Sequence, residues 1–204
     1  MKRHIILFSI GISLLFGACT SDYELDRPVF IDDEIYPGLP AYTEWGYNSF
    51  GVYIDRRPFT SSNWDLPVKV IAKDRTLQFQ LRGNMSYYSM NSYSWNALTF
   101  FIKGLSMEDY KDLLYLHEQT FDLTSDNCQV TLERDGMTYE LPILSGALNF
   151  KRAQHLYIDK QSQQVILSGT FNFKTIIEEE PITASEGRFD LGIGDDNFYF
   201  YPRN

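Results

Sequence analysis

The sequence predicts an all-β fold, either an antiparallel β-sandwich or a flattened β-barrel, with one short helix near residues 107–117. Apolar and polar side chains alternate in short runs, as in residues 77–82, LQFQLR. Alternation of this kind places one face of a strand inward and the other toward water. Turn residues separate the runs at regular intervals, which is typical of a sandwich or a barrel.

The first 18 residues have the features of a secretory signal peptide. Lys2 and Arg3 precede an apolar run over residues 5–16, which at about 12 residues is too short to cross a bilayer as a helix. Residues 15–19, LFGAC, resemble the lipobox of bacterial lipoproteins, in which the cysteine is acylated and becomes the first residue of the mature chain. The sequence therefore predicts that Cys19 is a lipid anchor.

The residues after Cys19 predict a cellular location and a flexible tether. The segment TSDYELD resembles the export signals that send such lipoproteins to the outer surface in Bacteroidota. We therefore expect a lipoprotein of the cell envelope that is held in the outer membrane and exposed at the surface. Residues 19–40 are polar, acidic and interrupted by prolines, which predicts a flexible tether. Residues 41–204 are then a single β domain.

Net charge and cysteine content exclude some classes of protein. The chain has a formal charge of −9, which becomes about −11 when Lys2 and Arg3 leave with the signal peptide. Nucleic acid would repel such a chain, because its binding depends on Lys and Arg at phosphates. Cys128 is the one cysteine left beside Cys19, so no intramolecular disulfide is expected. It is interpreted as a packing residue, since free cysteine behaves as a small hydrophobe.

The predicted strands follow in chain order. An early pair is joined by a tight link at residues 73–75, and a later hairpin turns at Asp135-Gly136, a dipeptide that tolerates the positive φ of a type I′ turn. Residues 159–164 form another turn, and the acidic run 178–180 is the tip of a solvated hairpin. The principal strands are residues 51–54, 68–72, 77–81, 147–150, 155–158, 165–173, 188–193 and 198–201.

One segment has helical spacing, LSMEDYKDLLYLHEQ. Ser106 stands three residues before Asp109, which is the arrangement of a capping box. Met107, Tyr110 and Leu113 or Leu114 then recur with His117 on one face, so the sequence predicts a helix of about three turns. Such a helix would cover an open edge or end of the sheet, and His117 is interpreted as a partly buried structural residue.

Three segments carry a family resemblance: TEWGYNSFGVYIDRRPF at 43–59, VILSGTFNFKTI at 165–176 and ITASEGRFDLGI at 182–193. They resemble the entry strand and the closing strands of a family of uncharacterised Bacteroidota cell-envelope lipoproteins. The resemblance implies an all-β domain at the envelope and implies no activity. In these segments glycines mark where strands begin or bend, and phenylalanines are expected to fill the core. The residues concerned are Gly51, Gly169, Gly187, Phe171, Phe173 and Phe189.

The motifs of common enzymes are missing from the sequence. It has no G-x-S-x-G elbow, H-E-x-x-H helix or glycine-rich phosphate loop. We predict no catalytic residue and no cofactor. Asp190, Asp195, Asp196 and Asn197 offer oxygen ligands that suit calcium. They lack the spacing of a calcium loop, and the alternative is a turn before the last strand.

An aromatic segment is the principal candidate for binding, GNMSYYSMNSYSWN at 83–96. Tyr87, Tyr88, Tyr93 and Trp95 lie among Ser, Asn and Met without a charged side chain. Tyrosine with serine and asparagine makes adaptable contact surfaces, and exposed rings suit the apolar faces of sugars. The alternative is that these rings pack into the core.

Three functional classes follow. The first is a non-enzymatic binding module at the bacterial surface, with a glycan or an envelope protein as partner. The second is a lipocalin-like carrier, which needs an interior cavity for a small apolar ligand. The third is a hydrolase that uses two carboxylates facing one cleft. We rank the binding module first.

Overall fold

The computed structural model describes residues 27–61, 66–85, 95–134, 136–158 and 161–202, without the side chains of Trp95 and Gln161. Twelve strands are present in this part of the chain. Their bounds are β1 Ser49–Ile54, β2 Arg57–Thr60, β3 Val68–Lys73, β4 Thr76–Met85, β5 Trp95–Lys103, β6 Gln119–Asp122, β7 Cys128–Arg134, β8 Met137–Leu141, β9 Ile143–Ile158, β10 Gln161–Ile177, β11 Glu180–Ile193 and β12 Phe198–Tyr201.

The strands form one hydrogen-bonded sheet in the order β6-β9-β10-β11-β1-β2-β4-β5-β7-β8, with β3 on β4 and β12 on β3. All neighbours are antiparallel apart from β3 and β12, which are parallel. The sheet is not closed into a barrel, and the structure is 65% strand and 4% helix. The all-β prediction is confirmed, in its sandwich-like form.

Phenylalanine rings hold the two halves of the sheet together. Phe79 on β4 contacts Phe150 on β9 and Phe189 on β11, with ring centroids 5.4 and 5.1 Å apart. Phe100 on β5 contacts Phe171 on β10 at 5.2 Å. These rings are buried, and their tilted and edge-on geometry is the one that aromatic pairs prefer. The core positions expected of Phe171, Phe173 and Phe189 are confirmed.

The turns that the sequence marks are tight hairpins. Asp74 and Arg75 join β3 to β4 with φ of 50° and 58°. Glu178 and Glu179 join β10 to β11 with φ of 52° and 68°, and residues 178–180 are exposed as expected of a hairpin tip. Positive φ at two successive residues matches the right-handed twist of the flanking strands.

Strand β9 differs from the prediction. The sequence suggests separate strands at 147–150 and 155–158, whereas the structure has one strand over Ile143–Ile158. The register against β10 shifts where Ser168 pairs Arg152 and Gly169 pairs Phe150, so Lys151 is the extra residue of a β-bulge. Lys151 and Arg152 are both exposed. Two exposed residues in succession interrupt the alternation, which explains the error.

The helix is shorter and tighter than predicted. Tyr110–Leu116 is a 3₁₀-helix, and its N-cap is Asp109 with Asp112 completing the capping box, so the prediction of Ser106 as the cap is wrong. The buried stripe of Met107, Tyr110, Leu113 and Leu116 is spaced by three residues, which is the period of a 3₁₀-helix. No helix in the described part of the chain is long and apolar enough to cross a membrane.

Residues 27–40 are packed on the domain, unlike the flexible tether that their composition predicts. The Val29 N–H donates to the Tyr47 carbonyl at 2.7 Å, and Ala41 N–H donates to Ile31 at 2.7 Å. Leu39 is fully buried. The prolines and charges of this segment therefore belong to a folded strap that lies against the sheet.

Candidate functional site

The side chain of Trp45 is the starting point of the candidate site. Trp45 is 70% exposed, although it lies on the loop that leads directly into β1. It lines an open cleft of ≈ 410 Å³, a volume within the roughly 300–1,000 Å³ of small-ligand sites. The cleft, here called the Trp45 cleft, is lined by Tyr42, Thr43, Glu44, Trp45, Arg152 and Gln154.

A buried carboxylate fixes the loop that carries Trp45. Asp190 on β11 is 1% exposed and accepts hydrogen bonds from the backbone N–H groups of residues 45–47 at 2.8–3.2 Å. The hydroxyls of Thr43 and Ser168 also donate to it, at 2.5 and 2.9 Å. Hydrogen bonds to a charged acceptor are stronger than neutral ones. The backbone under the exposed indole is therefore held in place without help from the indole itself.

Gly46 allows the loop to turn at this point. Its φ is +78°, in the left-handed region that favours glycine, and a Cβ at this position would lie 3.1 Å from the Ile166 side chain. The turn directs three successive N–H groups toward Asp190. The Trp-Gly pair thus combines an exposed ring with the backbone conformation that positions it.

The cleft residues other than Trp45 form a polar network. Glu44 accepts from the Tyr42 hydroxyl at 3.0 Å and from Arg152 Nη1 at 2.9 Å. Arg152 Nε donates to Gln154 Oε1 at 2.9 Å, and Gln154 Nε2 donates to the Glu44 carbonyl at 3.1 Å. The hydrogen bond from Arg152 lowers the pKa of Glu44, whereas burial and the bond to Glu44 raise the pKa of Tyr42. Glu44 is therefore ionised and Tyr42 is protonated at neutral pH.

The bulge in β9 places two cationic side chains at this network. It brings both Lys151 and Arg152 to the surface, and the Lys151 ammonium lies 5.1 Å from the centroid of the Tyr42 ring. That distance is within the range of a cation–π contact. Bulges often redirect side chains at functional sites.

This arrangement is suited to binding. An exposed indole offers a flat apolar face, and the neighbouring guanidinium, amide and carboxylate are planar polar groups. A fixed loop reduces the entropy lost when a ligand is bound. Two other depressions have no aromatic lining: one is lined by Lys69, Gln80, Arg82, Asn96, Ala97 and Glu133, and the other by Ile54, Asp55, Arg57, Met85, Leu132, Arg134, Ile177, Glu178, Glu180 and Ile182.

The aromatic segment and the lipidation site lie at or beyond the limits of the described residues. Tyr87, Tyr88 and Tyr93 fall in the range 86–94, outside the described residues. Trp95 is the first residue of β5, and its side chain is likewise outside the description. Cys19 precedes the first described residue. Their predicted roles stay predictions.

The four candidate calcium ligands have other places in the structure. Asp190 holds the Trp45 loop, and Asn197 is buried, where it accepts from Gly194 N–H and donates to the Gly192 carbonyl, both at 2.9 Å. Asp195 and Asp196 are exposed in the turn before β12. Among the described residues, no group of three or more His, Cys, Asp or Glu side chains is arranged to hold a metal ion.

Sequence reasoning did not identify the Trp45 cleft. Its residues come from two segments more than a hundred positions apart, 42–45 and 151–154. One local signal was present: Glu-Trp-Gly places a large aromatic beside a turn residue, outside any alternating run. The contact of Arg152 with Glu44 has no such signal, since it depends on the bulge.

Comparison with known proteins gave no relative: no family model, curated protein or solved structure matches the chain.

Proposed function

We propose that this protein is a non-enzymatic binding module of the bacterial cell envelope, anchored through an acylated Cys19, and that it binds a glycan in the Trp45 cleft. The location at the cell envelope is supported by the signal-peptide features of residues 1–18, the LFGAC segment and the three segments that resemble Bacteroidota envelope lipoproteins. The binding role is supported by the cleft.

The single observation that carries the binding role is an exposed indole on a loop fixed by Asp190. The C–H face of a sugar ring packs on the apolar face of an indole, and this contact removes apolar surface from water. The planar polar groups beside Trp45 are placed to meet the hydroxyls around that ring. Because the loop is already ordered, little conformational entropy remains to be lost on binding.

The carrier alternative gains no support from the core. A lipocalin-like carrier needs an enclosed cavity, whereas phenylalanines from both halves of the sheet meet in the interior of this domain at 5.1–5.4 Å. We therefore place the binding surface on the outside of the domain.

The test compares wild-type protein with Trp45→Ala and Tyr115→Ala in pull-down and affinity electrophoresis on a panel of neutral and acidic polysaccharides. Tyr115 is a matched control, because it is an aromatic side chain that is 78% exposed on the 3₁₀-helix. We expect Trp45→Ala to weaken binding at least about tenfold, which is the scale of a lost aromatic anchor. Tyr115→Ala should bind as wild type, and both variants should keep the wild-type melting temperature. Binding of no polysaccharide by the wild type would overturn the proposal, as would equal binding by Trp45→Ala.

A further inference from the structure

The hydrogen-bond acceptors of the Trp45 cleft are already engaged. Each Glu44 carboxylate oxygen accepts one bond, from Tyr42 or from Arg152. Gln154 Oε1 accepts from Arg152 Nε, and the Glu44 carbonyl accepts from Gln154 Nε2. Each of these oxygens thus already has one donor, although a carboxylate or carbonyl oxygen can accept a second hydrogen bond.

Donors, by contrast, remain available. Of the five N–H groups of a guanidinium, Arg152 uses its Nε and one Nη1 in bonds to described residues. Within the described part of the chain, its Nη2 has no acceptor, and Lys151 Nζ lies over the Tyr42 ring without a hydrogen-bond acceptor. A guanidinium N–H without an acceptor can donate a charge-assisted hydrogen bond to a carboxylate, and the ammonium on the preceding residue adds a second positive charge to this part of the surface.

Charge agrees with this assignment. Lys151 and Arg152 face Glu44 at the surface, and Arg152 forms an ion pair with it at 2.9 Å. Asp190 is the other acidic group of the site, but it is buried and its oxygens accept from five donors. The formal charges of Lys151, Arg152, Glu44 and Asp190 thus cancel, so the site is less acidic than the chain as a whole, whose formal charge is −9. An anion is therefore repelled less at this cleft than by the acidic surface as a whole.

We propose that the ligand of the Trp45 cleft is an acidic saccharide whose ring packs on Trp45 and whose carboxylate is bound by Arg152 and Lys151. This inference rests on the proposed function, because it names the class of glycan for the same cleft. Neutral saccharides are then weaker ligands, since they offer no carboxylate to Arg152 Nη2 or to Lys151 Nζ.

The test uses pairs of polysaccharides that differ only in charge: polygalacturonate, alginate and hyaluronan, each beside its carboxyl-reduced counterpart. We expect at least one acidic member to bind the purified protein, and its reduced counterpart to bind at least about tenfold more weakly. Lys151→Gln should weaken binding of the acidic form about fivefold and leave any binding of the reduced form unchanged. Lys174→Gln is the control, because Lys174 is an exposed lysine on β10, and it should behave as wild type.

The outcomes separate the two proposals. If reduced and acidic forms bind equally and Trp45→Ala abolishes both, the acidic class is wrong and the glycan site stands. If the acidic form binds Trp45→Ala as well as wild type, or if no polysaccharide binds, both proposals are overturned.

Discussion

Asp190 positions the candidate site although it does not line the Trp45 cleft. It sits on β11, accepts from five donors and holds residues 43–47 beneath the exposed Trp45 ring. Its sequence context suggested a metal ligand, because acidic residues and an asparagine follow it closely. The donors that define its role lie 143–147 positions away or on β10, so the nearby sequence carries no trace of them.

We predict that Asp190→Asn lowers the free energy of unfolding by about 3 kcal/mol, because a buried charged acceptor is lost and an amide group faces backbone N–H donors. Urea denaturation measures the change. Thr43→Ala removes only one of the five donors and is the control, with an expected loss of about 1 kcal/mol. Equal losses for the two variants would contradict the role assigned to Asp190.

At the scale of elements, the strap over residues 27–40 depends on an ion pair with β11. Arg188 is 8% exposed, contacts Asp33 and lies 4.4 Å from the Tyr36 ring centroid. Burial raises the pKa of Asp33, but hydrogen bonds from the Ile35 and Tyr36 N–H groups and the charge of Arg188 outweigh it and hold the pKa below 3.8. Since the folded pKa lies below the ordinary one, Asp33 stabilises the fold above pH 3.8, and this contribution is lost as the pH falls through the folded value.

We predict that Asp33→Asn costs about 2 kcal/mol of stability at pH 7, since it removes a charge-assisted contact. The difference from wild type should shrink as the pH falls below 3.8. Urea denaturation at a series of pH values measures both. The neighbouring exposed residue supplies the control, Asp32→Asn, which should change stability little. A cost for Asp33→Asn that is constant down to pH 2 would show that the ion pair does not hold the strap.

The elements also show where sequence patterns succeed and fail. The links at residues 73–75 and 178–180 are hairpins as predicted, because such turns are governed by local backbone preferences. The bulge at Lys151 and the strap over residues 27–40 were missed, because both depend on partners far along the chain. The helix illustrates a finer point. Met107, Tyr110 and Leu113 are buried as predicted, but α-helical spacing placed His117 next on the stripe, whereas the spacing of three buries Leu116 and leaves His117 exposed.

At the scale of the whole molecule, the candidate site gathers on one side of the folded sheet. Strands β9, β10, β11 and β1 are consecutive neighbours, and they bring the Lys151 bulge, Ser168, Asp190 and the Trp45 loop together. The fold class could be predicted because alternation and turn residues recur throughout the chain. The site could not, because an open cleft is formed by the order of the strands in the sheet, which alternation does not encode.

The most direct test of the central claim is to compare the two aromatic candidates in one polysaccharide-binding titration. Wild type, Trp45→Ala and the double variant Tyr88→Ala/Trp95→Ala would be titrated with the polysaccharide that the wild type binds best. If the Trp45 cleft is the binding site, Trp45→Ala loses at least about tenfold in affinity and the double variant keeps the wild-type affinity. Loss of binding in the double variant, with wild-type affinity in Trp45→Ala, would place the site on the 83–96 segment and contradict the account.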